Sequence, residues 1–309
     1  MKTIKKVLLA IDGSADKQAL VAEVSAIAQD AHVTLLSVLD PPFRDRDVAP
    51  RLADLQTWIT EERLELMKDI SSSLLEKGIL ATIKPSFGKP YLEIVREAMK
   101  DEYDLIMKPA KSETTLKSVL FGSTDMQIFR SCPYPVWIFK PTPNLQLRKI
   151  MVAVDLLIND EEKNALADKV LQWGRDVAEE VGAELHVVHI WSLYGELTLR
   201  GRSVSGGTVD KLVYQEKQEH LRLLNEALAR NGLEQNRPQI HFAKGEATDL
   251  ILGAVEAVKP DLLVMGTVGR TGIPGFFIGN TADSVLREVN CSVLAVKPDG
   301  FVTPVKLDG

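Results

Sequence analysis

The chain has 309 residues, 45% of them hydrophobic and 26% charged, with a formal charge of −6 and a pI near 5.5. Length favours two domains of about 150 residues, and the composition excludes a disordered chain. The mild acidity argues against a general binder of nucleic acid or anionic membrane.

The first apolar run, 7–11, is too short for the core of a signal peptide. No window approaches the roughly 18 apolar residues of a membrane span, so a cytoplasmic protein is expected. Runs 7–11, 33–38, 105–107 and 136–139 are nearly continuous apolar stretches and predict buried strands. Between them, residues 57–77 place Leu64, Met67, Ile70 and Leu74 at helical spacing and stop at Gly78, a favourable helix-ending residue. Residues 208–231 do the same with Leu221, Leu224 and Leu228, and stop at Gly232. The two cysteines, Cys132 and Cys291, sit in different halves without a CxxC pairing, which predicts buried, reduced thiols.

The second half repeats the first. "KKVLLAID" (5–12) matches "RKIMVAVD" (148–155), "DLIMKPA" (104–110) matches "DLLVMGT" (261–267), and "FGSTDMQIFRSCPYPVWIFKP" (121–141) matches "IGNTADSVLREVNCSVLAVKP" (278–298). From Gly88 and Gly245 to Lys140 and Lys297 the separation stays at 157 residues. Strands alternating with helices imply βαβ units and a parallel sheet covered on both faces. Each half is therefore expected to be a doubly wound α/β domain, 1–144 and 145–309, joined through the short Pro-bearing stretch 140–149.

In such a sheet ligands bind at the carboxyl ends of strands, where the strand order reverses. In the second half this brings together Asp155, Ile190, the glycine-rich stretch "GTVGRTGIPGFFIGNT" (266–281) and the helix start near Asn280. Glycines let main-chain N–H groups approach phosphate oxygens, and a helix N-terminus favours an anion. Arg270 lies within this stretch as a candidate phosphate cation. Capping of the helix by Asn280 or Thr281 is expected.

"MGTVG", nine further residues and "GNT" resemble the Gly-x-x-Gly-(x9)-Gly-[Ser/Thr] signature of ATP-binding universal stress proteins. Over nearly all of both halves the chain is similar to the tandem-domain, UspE-type members of that family. The resemblance implies two Rossmann-like domains of the adenine nucleotide alpha hydrolase type, each a five-stranded parallel sheet flanked by helices. It implies an adenine nucleotide as ligand, ATP alone or with Mg2+, and no covalently bound group. On the family pattern Asp155 contacts adenosine and Ile190 lines the adenine pocket. Met265, Gly266, Val268 and Gly269 wrap ribose and phosphates, and Gly279, Asn280, Thr281 and Ala282 hold the phosphates. Asn280 departs from the usual hydroxyl residue, and Leu156 and Leu157 are bulky where small residues are common. Terminal strands pair across dimers in the family, so "VWIFK" and "VLAVK" are expected to pair within this chain as a pseudo-dimer; a homodimer of whole chains is compatible with the sequence.

In the first half Gly266 and Gly269 become Pro109 and Ser112, and Glu113 replaces Arg270. Pro109 has no N–H to offer, so a structural role without nucleotide is expected for that half. The residues Leu156, Leu157, Ile273, Phe276, Phe277 and Ile278 keep open an alternative: a pocket for an apolar or lipid-like ligand. Residues 192–209 are expected to form a lid or interface element. His186 and His189 are three apart on a strand and face opposite ways; His189 with His241 is the pair that neighbouring strands would bring together. No structural metal is expected. No nucleophile–histidine–acid set stands out, so the function expected is binding with a regulatory or stress-protective role, with at most weak ATPase activity.

Overall fold

The computed structural model describes residues 4–13, 16–39, 53–110, 121–141, 146–201, 206–235, 237–268 and 278–307. The first repeat runs β1 (Lys6–Ile11), α1 (Lys17–Ile27), β2 (His32–Leu39), α2 (Ala53–Glu76), β3 (Ala81–Phe87), α3 (Pro90–Asp101), β4 (Leu105–Pro109), α4 (Ser123–Ser131) and β5 (Val136–Phe139). The second runs β6 (Lys149–Val154), α5 (Glu161–Val181), β7 (Glu184–Trp191), α6 (Glu196–Gly201), α7 (Gly206–Arg230), β8 (Gln239–Lys244), α8 (Ala247–Val258), β9 (Leu262–Gly266), α9 (Asn280–Glu288) and β10 (Ser292–Val296).

Among the described residues ten strands form one sheet in the order β3-β2-β1-β4-β5-β10-β9-β6-β7-β8. Pairing is parallel within each repeat, as βαβ crossovers require. The expected pairing of the terminal strands is present: β5 and β10 run antiparallel, with Leu294 opposite Trp137. Two five-stranded sheets thus become one across a pseudo-twofold seam.

The apolar central strands bury both faces. One face packs under α1, α2, α5 and α7 through residues such as Leu20, Met67, Leu171 and Leu228. The other packs under α3, α4, α8 and α9 through Ile94, Phe129, Ile251 and Leu286. The outer strands β3 and β8 are half-exposed. Repeated acids keep the same task in both halves. Asp104 Oδ2 accepts the Lys5 and Lys6 N–H groups at 2.9 and 3.0 Å, and Asp261 Oδ2 accepts those of Arg148 and Lys149 at 2.7 and 2.9 Å. Each carboxylate ties the start of its repeat's first strand to the strand beside it. Both cysteines are buried and unpaired, and burial pushes both thiols up to about 12.

β6 and β9 are neighbours although far apart in sequence, and the crossovers leave from them in opposite directions. That places the reversal point of the second repeat at their carboxyl ends.

Candidate functional site

A cavity of about 510 Å³ opens at this reversal point, within the usual size range of small-molecule sites. Asp155, Ile190, Met265, Gly266, Val268, Gly279, Asn280, Thr281 and Ala282 all line it. Gly269 and Arg270 fall outside the described residues. Of the six apolar residues grouped for a lipid-like pocket, Ile278 lines the cavity, whereas Leu156, buried in the core, and Leu157 do not. Residues 273, 276 and 277 lie outside the described residues.

One end of the cavity is the N-terminus of α9. The expectation of a side-chain cap here is corrected by the structure. Gly279 is the N-cap, in extended backbone (φ −62, ψ 146), and no side chain caps the helix. Asn280 and Thr281 enter the first turn instead, because a glycine occupies the one position from which a side chain caps. The first N–H groups of α9 therefore face the cavity without a side-chain acceptor at the cap, which is the electrostatic setting that favours an anion.

The walls include residues that the sequence reading left out. Lys163, Leu166, Ala167 and Val170 line the cavity from α5. Their i, i+3, i+4, i+7 spacing is the sign that would have found them once Asp155 was placed. Lys163 brings a cation, held loosely by Asp160 at 3.5 Å. Trp191 and Glu246 also line the cavity, the latter serving as N-cap of α8 by accepting the Asp249 N–H at 3.1 Å.

Behind the wall, the His189 ring bonds the Val154 carbonyl at 3.1 Å and the His220 ring at 3.0 Å. Burial pushes His189 down to about 4, so a neutral imidazole supports the end of β6 at neutral pH. Trp191 stacks with His220 and with Phe242, at centroid distances of 6.0 and 5.9 Å. The expected pairing of His189 with His241 is not formed. His241 lies on the opposite face of the sheet from His189, bonding His186 at 3.0 Å. Among the described residues no group of three or more His, Cys, Asp or Glu is arranged to hold a metal ion.

The stretch after β7 leaves from the cavity rim at Ser192 and forms α6. Glu196 ties it to β8 through Lys244 at 2.7 Å and pairs with Arg200 within α6 at 3.0 Å, and Tyr194 and Leu197 stand almost wholly in solvent.

At the equivalent place in the first repeat, described residues pair with one another. Lys108 and Asp125, the counterparts of Met265 and Ala282, form a buried ion pair at 2.8 Å. Asp125 Oδ2 also accepts the Gly122 N–H at 3.0 Å, so the helix start has an internal carboxylate. Arg63 reaches in from α2 to Ser37 at 3.1 Å, and a Cβ on Gly13 would lie 2.4 Å from its Nη2. Ser37 bonds the Ile11 carbonyl, the same task His189 performs for Val154. Glu113 lies outside the described residues.

The sequence profile of the Universal stress protein family matches residues 3–140 and, a second time, 146–297. The chain belongs to the universal stress protein family. It is similar to Universal stress protein E of Escherichia coli K12, with 30% identity over 283 residues, covering 90% of this chain and 85% of that one. Its similarity to Universal stress protein E of Salmonella typhi is 31% over 256 residues, covering 82% and 80%. A solved structure of a functionally unknown protein from Pseudomonas aeruginosa PAO1 superposes with a TM-score of 0.71 at 25% identity, covering 96% of this chain and 94% of that one. The architecture of this universal stress protein is thus that of tandem members, two family domains in one chain. None of its helices among the described residues is long and apolar enough to cross a membrane.

Proposed function

We propose that the second domain, 145–309, binds an adenine nucleotide, ATP alone or with Mg2+, as a regulatory signal, and that the first domain, 1–144, is structural. The observation that carries this reading is the mixed lining of the cavity. It includes the uncapped first turn of α9 and the Lys163 ammonium, which suit phosphates. It also includes the apolar side chains Ile190, Trp191 and Leu166 together with Asp155, which suit a base and sugar. The family signature over residues 265–281 supports the same assignment. The Lys108–Asp125 pair and Arg63 support a nucleotide-free first domain, because both charges a phosphate would need are already engaged.

The test is calorimetric and thermal-shift titration with ATP, ADP and AMP on the wild-type chain and Gly266→Val. A Cβ at Gly266 would lie 2.9 Å from Leu166 Cδ2, so valine pushes into the cavity. About one nucleotide per wild-type chain, lost in the variant, is expected. No binding of any of the three nucleotides defeats the reading, and two per chain defeats the structural role of the first domain.

The predominantly apolar lining, including Leu166, Val170, Ile251 and Ile278, favours one second reading, an apolar or lipid-like ligand. Mass spectrometry of the denatured, freshly purified protein separates the two. Retained acyl lipid without an ATP-dependent thermal shift selects the second.

A further inference from the structure

Asp283 follows the cavity-lining segment Gly279–Ala282 by one residue, and its N–H closes the first turn of α9 on the Gly279 carbonyl at 2.8 Å. An acid in that turn is attracted to the same N–H groups that an anionic ligand would use, and its charge opposes such a ligand. Two guanidinium groups hold it elsewhere. Arg287, one turn further along α9, donates from Nε to Asp283 Oδ2 at 2.7 Å. Arg130, on α4 of the first domain, donates from Nη2 to Oδ1 at 2.6 Å. Burial raises the affinity of this carboxyl for a proton, but the bonds from Arg287 and Arg130 outweigh it and leave the group below its ordinary pKa.

The contact from the first domain runs one way. The separation of 157 residues makes Arg287 the counterpart of Arg130, and Met126 the counterpart of Asp283. Met126 is buried in the core and offers no charge to receive an arginine. In the first repeat the acid stands one residue earlier, at Asp125, and folds back on its own helix start. So the helix start that is filled internally has no acid for an arginine of the other domain to clamp, and the helix start that opens into the cavity has one. Among the described residues, every one that lines the cavity belongs to the second repeat, so the link from Arg130 to the site runs through Asp283.

We propose that Arg130 is a positioning residue supplied by the first domain to the second domain's site. By drawing Asp283 against the flank of α9 and neutralising it, Arg130 keeps the helix start available to the anionic part of a ligand. This rests on the nucleotide reading above, and it gives the first domain a direct part in binding.

The experiment compares ATP and adenosine affinities by calorimetry at low ionic strength for the full chain, R130Q, R130K, D283N and R130Q/D283N. R130Q is expected to weaken ATP about three- to tenfold while adenosine changes by less than about twofold. R130K, which keeps the charge, retains most of the ATP affinity. Adding D283N to R130Q restores ATP binding to about the wild-type level, since the acid no longer needs restraint. Unchanged ATP affinity in R130Q overturns the inference. So does a loss that D283N fails to restore, or an equal loss for adenosine, since either marks damage to the fold. A wild-type chain that binds neither ligand removes the nucleotide reading and this inference with it; a wild type that binds ATP no better than R130Q removes the inference alone.

Discussion

Lys108 Nζ lies 2.8 Å from Asp125 Oδ1, with both side chains nearly excluded from water. The repeat puts Met265 and Ala282 in the corresponding places, where the second domain has its cavity wall. A buried pair is strongly destabilised when one partner is removed and the other charge stays behind. Asp125→Ala should therefore cost about 3–5 kcal/mol in urea denaturation. Lys108→Met/Asp125→Ala, which installs the second domain's residues, should recover most of that loss. A single variant within about 0.5 kcal/mol of wild type would show that the pair contributes little to the first domain.

Gly174 sits inside α5, where helix propensity alone would prefer alanine by about 1 kcal/mol. Packing reverses that preference. A Cβ there would lie 2.1 Å from Val152 Cγ2, on the strand that leads to the cavity. Gly174→Ala is expected to destabilise by about 1–3 kcal/mol, and Val152→Ala in the same chain to relieve part of the strain. Thermal melts of the two single variants and the double variant give the coupling. Additive losses would mean that α5 shifts away from β6 without resistance.

Much of this architecture is legible in the residues because the core strands are apolar runs and the repeat places one half on the other. Glycines and prolines are equally legible: Pro109 announces a first-domain site without its N–H, since backbone effects follow from residue type alone. Long-range polar pairs are not. Nothing in the spacing of Lys108 and Asp125, or of Arg130 and Asp283, marks them as partners, because the sheet brings them together across a strand or across domains. The histidines show the same limit. Facing directions along β7 follow from period two, but that His189 meets His220 depends on how α7 lies over the sheet. The cap of α9 is not legible either: Asn and Thr are strong capping residues by type, but the chain path assigns the cap position to Gly279.

Glu23 on α1 is buried beneath the helix, and its Oε1 has no hydrogen-bond partner among the described residues. Burial, only partly offset by the Trp137 indole, pushes its carboxyl up to about 8 from 4.5. The folded chain therefore keeps this proton between about pH 4.5 and 8 while the unfolded chain releases it. This contribution to stability is complete below pH 4.5 and is lost as pH rises through 8. Glu23→Gln, uncharged at every pH, should gain on wild type across that window, by an amount on the order of a few kcal/mol at pH 8. Urea midpoints of both proteins at pH 5 and pH 8.5 measure it. A constant difference between the two would mean that Glu23 ionises in the folded chain as it does in water.

Lys297, at the end of β10, gives the opposite slope. Its side chain is buried, its Nζ has no hydrogen-bond partner among the described residues, and it lies 4.6 Å from the centroid of the Phe301 ring. Burial pushes its amine down to about 7 from 10.5. Between those values the unfolded chain holds a proton that the folded chain has released, so stability rises with pH across the interval, and the contribution present above 10.5 is lost as pH falls through 7. The cation–π contact returns about 0.5–2 kcal/mol to the charged form, less than the cost of burying an unpaired ammonium. Lys297→Met should thus be more stable than wild type at pH 6.5, with the advantage shrinking as pH approaches 10. Lys297→Met/Phe301→Ala distinguishes burial from ring contact: the pH slope should stay absent, as in Lys297→Met, while stability falls by the packing of the ring. If Lys297→Met is instead less stable than wild type at pH 6.5, the ammonium is charged in place, and the Phe301 face is enough to hold it.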